Sequence, residues 1–269
     1  MKRPLVLKLG GELLEQPHDV QHVADGIAAL AAQSPLVVVH GGGREIDAAL
    51  GHAGIAKQQV DGLRITDART LDVVIAVLAG AINTRLVAAV RRAGARPVGL
   101  TGADASVVTV RRAMPVATVA GPTVDLGLVG SPINNGAPRL LLDLLSRGYV
   151  PVVACLGATR DGQVLNVNAD TLASHLAIQL NARRLIIAGG TAGVLDADGQ
   201  TIERLTSRAA AHLIKTGTAN KGMVAKLEAC RAAVRKGVGD VVIANGRGIR
   251  FEMLATARAP VPGCTQVVR

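Results

Sequence analysis

The sequence predicts an α/β fold with a mainly parallel sheet, on three observations. Short runs rich in β-branched residues alternate with longer stretches rich in Ala and Leu. Glycine clusters follow directly on two of the apolar runs, at Gly10-Gly11 and Gly41-Gly42-Gly43. No linker or low-complexity run divides the 269 residues, a length that suits one large domain or two packed lobes sharing a sheet.

The elements follow in order. PLVLKLG (4–10) reads as a buried strand, Asp19 to Gln33 as a helix, and PLVVVHGGG (35–43) as a second strand running into a glycine turn. A helix is expected from Arg44 to about Ala53. Thr66-Asp67 then offers an N-cap for a long helix that Gly94 stops. RPVGLT (96–101) is the next strand, and the Val/polar alternation of 105–130 around Gly121-Pro122 suggests β-hairpins covering one end of the sheet. The SPINNGAPRLLLDLLSRG segment reads as a helix, YVPVVACLG (149–157) as strand, and DGQVLNVNAD as the lead into the helix TLASHLAIQL. The second half repeats the alternation: a strand at RLIIAGG (184–190), a turn at LDADGQTI, helices at about 207–216 and 222–236, and a strand at DVVIANG (240–246). The two lobes divide near 170–180.

Composition narrows the function. Hydrophobic residues make up 49% of the chain, which excludes a disordered protein, and the 31 glycines show no fibrous period. The formal charge is +10, but the cations are scattered as short pairs such as Arg91-Arg92, Arg111-Arg112 and Arg183-Arg184. With no Trp, one Tyr and one Phe there is no aromatic platform for bases, so no nucleic-acid partner is expected. A basic surface of this kind draws in small anions. Cys155, Cys230 and Cys264 form neither a CxxC pair nor a disulfide framework, which fits a reducing compartment. The N-terminal apolar run is broken at Lys8 and is no signal peptide. No uninterrupted apolar run approaches the ~20 residues of a membrane span. The expectation is a soluble, cytoplasmic protein with no membrane partner.

Several residues carry chemistry. Consecutive glycines after a strand let backbone N–H groups approach an anion, although ordinary tight turns would look the same. Neither cluster matches the Walker A pattern, and there is no GxGxxG. Lys8 adds weight, because a cation at the end of an apolar strand needs a counter-charge. NVNAD (166–170) sets Asn166, Asn168 and Asp170 at alternate positions, either capping a helix or sharing one face toward a ligand. Lys226 and Arg64, each taken alone, read as ordinary solvated side chains.

Together these pieces resemble the amino acid kinase family, in particular its branch acting on N-acetylglutamate. The resemblance runs in order through KLGG (8–11), HGGG (40–43), GLRIT (62–66), LAGAIN (78–83), GLTG (99–102), NVNAD (166–170), GM-x-x-K (222–226) and NGR (245–247). It implies a three-layer αβα sandwich, with residues 1–175 as an acetylglutamate-binding and dimerisation lobe and 176–269 as an ATP-binding lobe. It also implies transfer of the γ-phosphoryl of ATP to the side-chain carboxylate of N-acetyl-L-glutamate, the second step of arginine biosynthesis.

By the same resemblance Lys8 and Lys226 would grip the transferring group, with Asp170 holding both. Gly10, Gly11, Gly42 and Gly43 would offer N–H groups to the phosphates and the reacting carboxylate. Arg64 and Asn166 would hold the substrate's α-carboxylate end. Mg²⁺ would arrive with ATP as co-substrate, with no tightly bound cofactor and no dedicated metal site.

The chain departs from the family pattern most clearly in its nucleotide lobe. Gly189 and Gly190 stand where a hydroxyl and a carboxylate are usual, while Thr218, Ala219 and Asn220 align with the other nucleotide-contacting loop. Neither an extra N-terminal helix nor an arginine-site ending is recognisable, so the expectation is a homodimer insensitive to arginine. Two rival readings are a kinase for an amino acid linked to an acidic carrier protein, which the +10 charge would suit, and a non-catalytic sensor.

Overall fold

The computed structural model describes residues 2–117, 121–196, 198–219, 221–257 and 259–269. Strand β1 (Leu5–Leu9) turns through a 3-10 helix (Gly11–Leu13) into α1 (Pro17–Gln33), and β2 (Leu36–His40) runs into α2 (Gly43–His52). A ribbon of β3 (Gln59–Val60) and β4 (Leu63–Arg64) leads to a long rod made of α3 (Ala68–Ile75), a π-helical turn (Ala76–Ile82) and α4 (Asn83–Arg92). Then come β5 (Pro97–Thr101) and the short strands β6 (Val110–Arg112), β7 (Val116–Ala117), β8 (Thr123–Val124) and β9 (Val129–Pro132). They are followed by α5 (Arg139–Ser146), β10 (Val150–Ala154), β11 (Leu156–Ala158), β12 (Val164–Val167) and α6 (Ala169–Gln179). The chain continues through β13 (Arg184–Gly189), β14 (Arg204–Thr206), α7 (Ser207–Lys215) and α8 (Lys221–Arg235). It ends with β15 (Asp240–Asn245), α9 (Phe251–Thr256) and β16 (Thr265–Val268).

Eight strands form one sheet in the order β14-β16-β15-β13-β1-β2-β10-β5. All neighbours are parallel except β15 and β16. Every residue of β1, β2, β10 and β13 is buried, as a sheet covered on both faces requires. Helix α1 packs on α4 and α9, whereas α6 packs on α8, which also touches α7. The expected αβα sandwich is the observed one. Strands from the two halves of the chain meet where β1 pairs with β13, so the sheet is continuous.

The long rod is built as its sequence suggests, with one addition. Asp67 caps it by accepting from Thr70 N at 2.7 Å, and Gly94 ends the turn beyond it at φ +94°. The π turn coincides with most of LAGAIN and brings Leu78 and Ile82 against Gly42, where a Cβ would lie 2.2 Å from Ile82 Cδ1. By length and composition the rod Ala68–Arg92 could cross a membrane, which qualifies the expectation of no such segment. Here Leu71, Val74, Leu78, Ile82, Leu86 and Val90 form a buried stripe, while Arg69, Asp72 and Arg85 are exposed. That is the pattern of a core helix.

Two expectations need correction, and one strand was not anticipated. The helix expected over SPINNGAPRLLLDLLSRG is confined to α5, because Ser131 and Pro132 belong to β9 and Pro138 sets the helix start. YVPVVACLG is two strands, with β10 parallel in the main sheet and β11 antiparallel to β12 in a four-stranded sheet ordered β11-β12-β9-β6. The C-terminal β16 inserts between β14 and β15, a non-local pairing that periodicity alone does not reveal.

Candidate active site

The loops leaving β1, β2 and β13 emerge at one edge of the parallel sheet, which gathers the glycine turns of three distant segments. Gly11 touches the second cluster directly: a Cβ there would lie 2.8 Å from Gly42 Cα and 2.9 Å from Gly43 N. Beneath them, Lys8 Nζ lies 2.9 Å from Asp170 Oδ1 and Lys226 Nζ lies 3.2 Å from Asp170 Oδ2. Asp170 stands in the first turn of α6, where the helix N-terminus favours an anion, and Asn168 caps that turn by accepting from Thr171 N at 3.0 Å. NVNAD is therefore a strand end followed by a cap and two helical residues, and not one extended face.

Lys8 and Asp170 are each 8% exposed. Burial opposes the Lys8 charge, but Asp170, with a smaller push from Glu12, outweighs it and raises the pKa above 10.5. For Lys226 burial and the Lys8 charge together outweigh Asp170, so its pKa falls below 10.5. Burial pushes the Asp170 carboxyl upward, yet the two ammonium groups hold it below 3.8. Two cations on one carboxylate leave the cluster with net positive charge, a fit for a further anion.

A cleft of about 550 Å³ opens beside this cluster, with Glu12, Gly43, Arg64, Asn166, Gly190 and Arg247 among its lining residues. Arg64 donates to the Gly43 carbonyl at 3.2 Å and pairs with Asp47, which also binds Lys57 at 2.7 Å. Burial works to raise the Asp47 pKa, but the bonds from Lys57 and Arg64 hold it below 3.8. Both Arg64 bonds come from Nη2, and among the described residues Arg64 Nη1 is buried without a partner. Such an orphaned donor is costly unless a ligand meets it. Asn166 reaches Thr66 Oγ1 at 3.3 Å and keeps its place in the cleft wall.

A second, mainly apolar cavity of about 240 Å³ is lined by Thr218, Ala219, Val194, Leu213 and Met223, and it shares Thr191 with the first. Asn220 lies outside the described residues. Gly189 ends β13 and Gly190 follows it, bordering the first cleft, with Gly190 N donating to Glu12 Oε1 at 2.8 Å. One expectation is not met: Gly10 N donates to the Ala188 carbonyl at 2.8 Å, so that N–H is spent inside the sheet.

Sequence reasoning passed over His40, Asn83, Asp47 and Glu12. His40 and Asn83 lay inside HGGG and LAGAIN, where a polar residue within an apolar or glycine run was the available signal. Asn83 Nδ2 reaches the carbonyls of Val152 at 3.0 Å and Leu100 at 3.4 Å, tying the rod to β10 and β5. The thiols are buried, and burial pushes Cys155 and Cys230 up to about 12, which keeps them inert at neutral pH.

The fold and this edge define an α/β protein in which glycine turns meet two lysines paired on one aspartate, a combination whose chemistry suits anions. The chain belongs to the Amino acid kinase family, whose profile matches residues 3–245. The acetylglutamate kinase of Sorangium cellulosum is 45% identical over 241 residues, covering 87% of this chain and 84% of that protein. That of Zymomonas mobilis is 40% identical over 248 residues, covering 90% and 82%. Among solved structures, the N-acetylglutamate synthase of Neisseria gonorrhoeae complexed with coenzyme A and N-acetyl-glutamate matches with a TM-score of 0.83 at 23% identity. That match covers 99% of this chain but 59% of the longer synthase, and it concerns the fold alone.

Proposed function

We propose that this chain is an ATP-dependent kinase that phosphorylates the side-chain carboxylate of N-acetyl-L-glutamate, the second step of arginine biosynthesis. The observation that carries the reading is the meeting of Lys8 and Lys226 on the two oxygens of Asp170. An acceptor carboxylate is already ionised at neutral pH, so no base is needed; the obstacle is repulsion between it and the phosphates. A carboxylate oxygen attacks the γ-phosphorus, the bond to the bridging oxygen breaks, and ADP leaves with that electron pair. In this reading Lys8 and Lys226 hold charge on the equatorial oxygens, and Asp170 keeps both aligned.

Gly11, Gly42 and Gly43 give N–H groups to the reacting ends. Arg64 and Asn166 hold the acceptor, with Arg64 Nη1 free to complete a forked contact to its α-carboxylate. Gly189, Gly190, Thr218 and Ala219 would contact the nucleotide, with Asn220 assigned to the same role by the motif resemblance alone, and the apolar cavity suits a nucleoside. Mg²⁺ bound to ATP would neutralise charge on the phosphates. No cluster of three or more His, Cys, Asp or Glu among the described residues forms a cage for it, but Glu12 offers a hard oxygen at the phosphate end of the cleft. Residues 1–175 then carry the acceptor site and dimer surface, and residues 176–269 the nucleotide site, in a cytoplasmic homodimer.

A hydroxylamine trap for acyl phosphate tests the reaction. With Mg·ATP, free N-acetyl-L-glutamate should give hydroxamate, while L-glutamate and α-aminoadipate give none. Silence with all three acceptors from protein that binds ATP would overturn the assignment in favour of a carrier-linked acceptor.

A further inference from the structure

The Glu12 carboxylate occupies the glycine cradle itself. Its Oε1 accepts from Gly190 N at 2.8 Å. A Cβ on Gly10 would lie 2.4–2.5 Å from the three carboxylate atoms, and one on Gly189 would lie 3.0 Å from Oε1. Glycine at these two positions makes room for this side chain. The other acids nearby are committed elsewhere: Asp170 to Lys8 and Lys226, and Asp47 to Lys57 and Arg64. Among the described residues Glu12 forms no ion pair. Its charge reaches Lys8 only from a distance, so a carboxylate with no cation in contact sits where the reading above brings in a polyphosphate.

A free nucleoside triphosphate entering that cradle would meet like charge. A divalent cation between the two reverses the sign, and Mg²⁺ is usually bound through one or two carboxylates together with substrate phosphates. We propose that Glu12 makes the cradle selective for the magnesium complex of the nucleotide over the free nucleotide. Glu12 acts here as a specificity-determining residue, and the inference rests on the kinase reading of the same site.

Calorimetric titration with ATP, in excess Mg²⁺ and separately in EDTA, tests it on the wild type, Glu12→Gln and Glu12→Asp. Glutamine keeps an oxygen for Gly190 N and removes only the charge. The wild type should bind Mg·ATP more tightly than free ATP. Glu12→Gln should shrink that ratio by about tenfold, within the range usual for coupling between two bound groups, mainly by tightening free ATP. Glu12→Asp should retain most of the ratio. An unchanged ratio in Glu12→Gln would overturn the proposal, as would equal tightening of both forms, which is the mark of a simple competitor. A wild type that binds neither form would sink the kinase reading and this inference with it. Binding with no Mg²⁺ preference in the wild type would sink the inference alone.

Discussion

The Asn83 amide donates to Nε2 of His40 across 3.1 Å, and this contact decides the state of the imidazole below the glycine turn. An amide nitrogen can only donate, so Nε2 accepts, and Nδ1 carries the proton that meets the Gly41 carbonyl at 3.2 Å. The ring is neutral and anchors the point where β2 becomes the turn.

This arrangement predicts an acid-sensitive fold. Burial lowers the His40 pKa from 6.5 to about 4. Below pH 6.5 the unfolded chain takes up a proton that the folded chain refuses, so stability is lost as pH falls from 6.5 to about 4. The total is about 3 kcal/mol. Denaturation midpoints across that window should decline, and His40→Gln should flatten the slope while His175, also lowered to about 4 by burial, keeps its own share. A slope identical in the variant would contradict this account.

Replacing either lysine of the cluster should damage chemistry more than binding. Lys8→Ala and Lys226→Ala should each lower kcat by roughly 10²–10³-fold with smaller changes in KM. The double variant should lose less than the product of the two, because both act on one group. Near-normal turnover in both single variants would remove the lysines from the mechanism.

The two lysines should also differ in pH response. Lys226 loses its proton below 10.5, whereas Lys8 keeps its proton above that value. The alkaline fall of kcat/KM should therefore begin with Lys226, below pH 10.5. Lys226→Arg, slower but always charged, should move that limb upward. An unmoved limb would assign it to another group.

Arg64 should act through acceptor binding. Arg64→Lys removes the fork and should raise KM for the acceptor by roughly tenfold to a hundredfold, with little effect on KM for ATP. Steady-state kinetics with each substrate varied will separate the two, and a parallel rise in both would argue for a general collapse of the cleft.

Gly42→Ala tests the contact between the glycine turn and the π segment. Its methyl group would lie 2.2 Å from Ile82 Cδ1 and 3.0 Å from Leu78 Cδ2. The cost should be roughly 1–3 kcal/mol of stability. Adding Ile82→Val, which deletes the offending atom, should recover part of that loss. Additive destabilisation in the pair would mean that the turn, and not the packing, demands glycine.

The sequence by itself determined the layered α/β architecture and the family. Runs such as Leu5–Leu9 and Arg184–Gly189 are apolar enough to be buried on both faces, and caps such as Asp67 act through neighbours a few residues away. Local chemistry of that kind is written in local sequence. The ordered motifs also named the residues of the edge, since Lys8, Asp170 and Lys226 do come together. Tertiary structure alone decided what those residues meet. Lys226 reads as a solvated helix cation until α8 packs on α6, and Glu12 reads as a turn residue until β13 brings Gly190 to its carboxylate. The same holds for Gly10, whose N–H goes to Ala188 once β1 and β13 are adjacent. Charge pairing and close approach depend on distances between segments far apart in the chain, and those distances are set by the packing of the whole sheet.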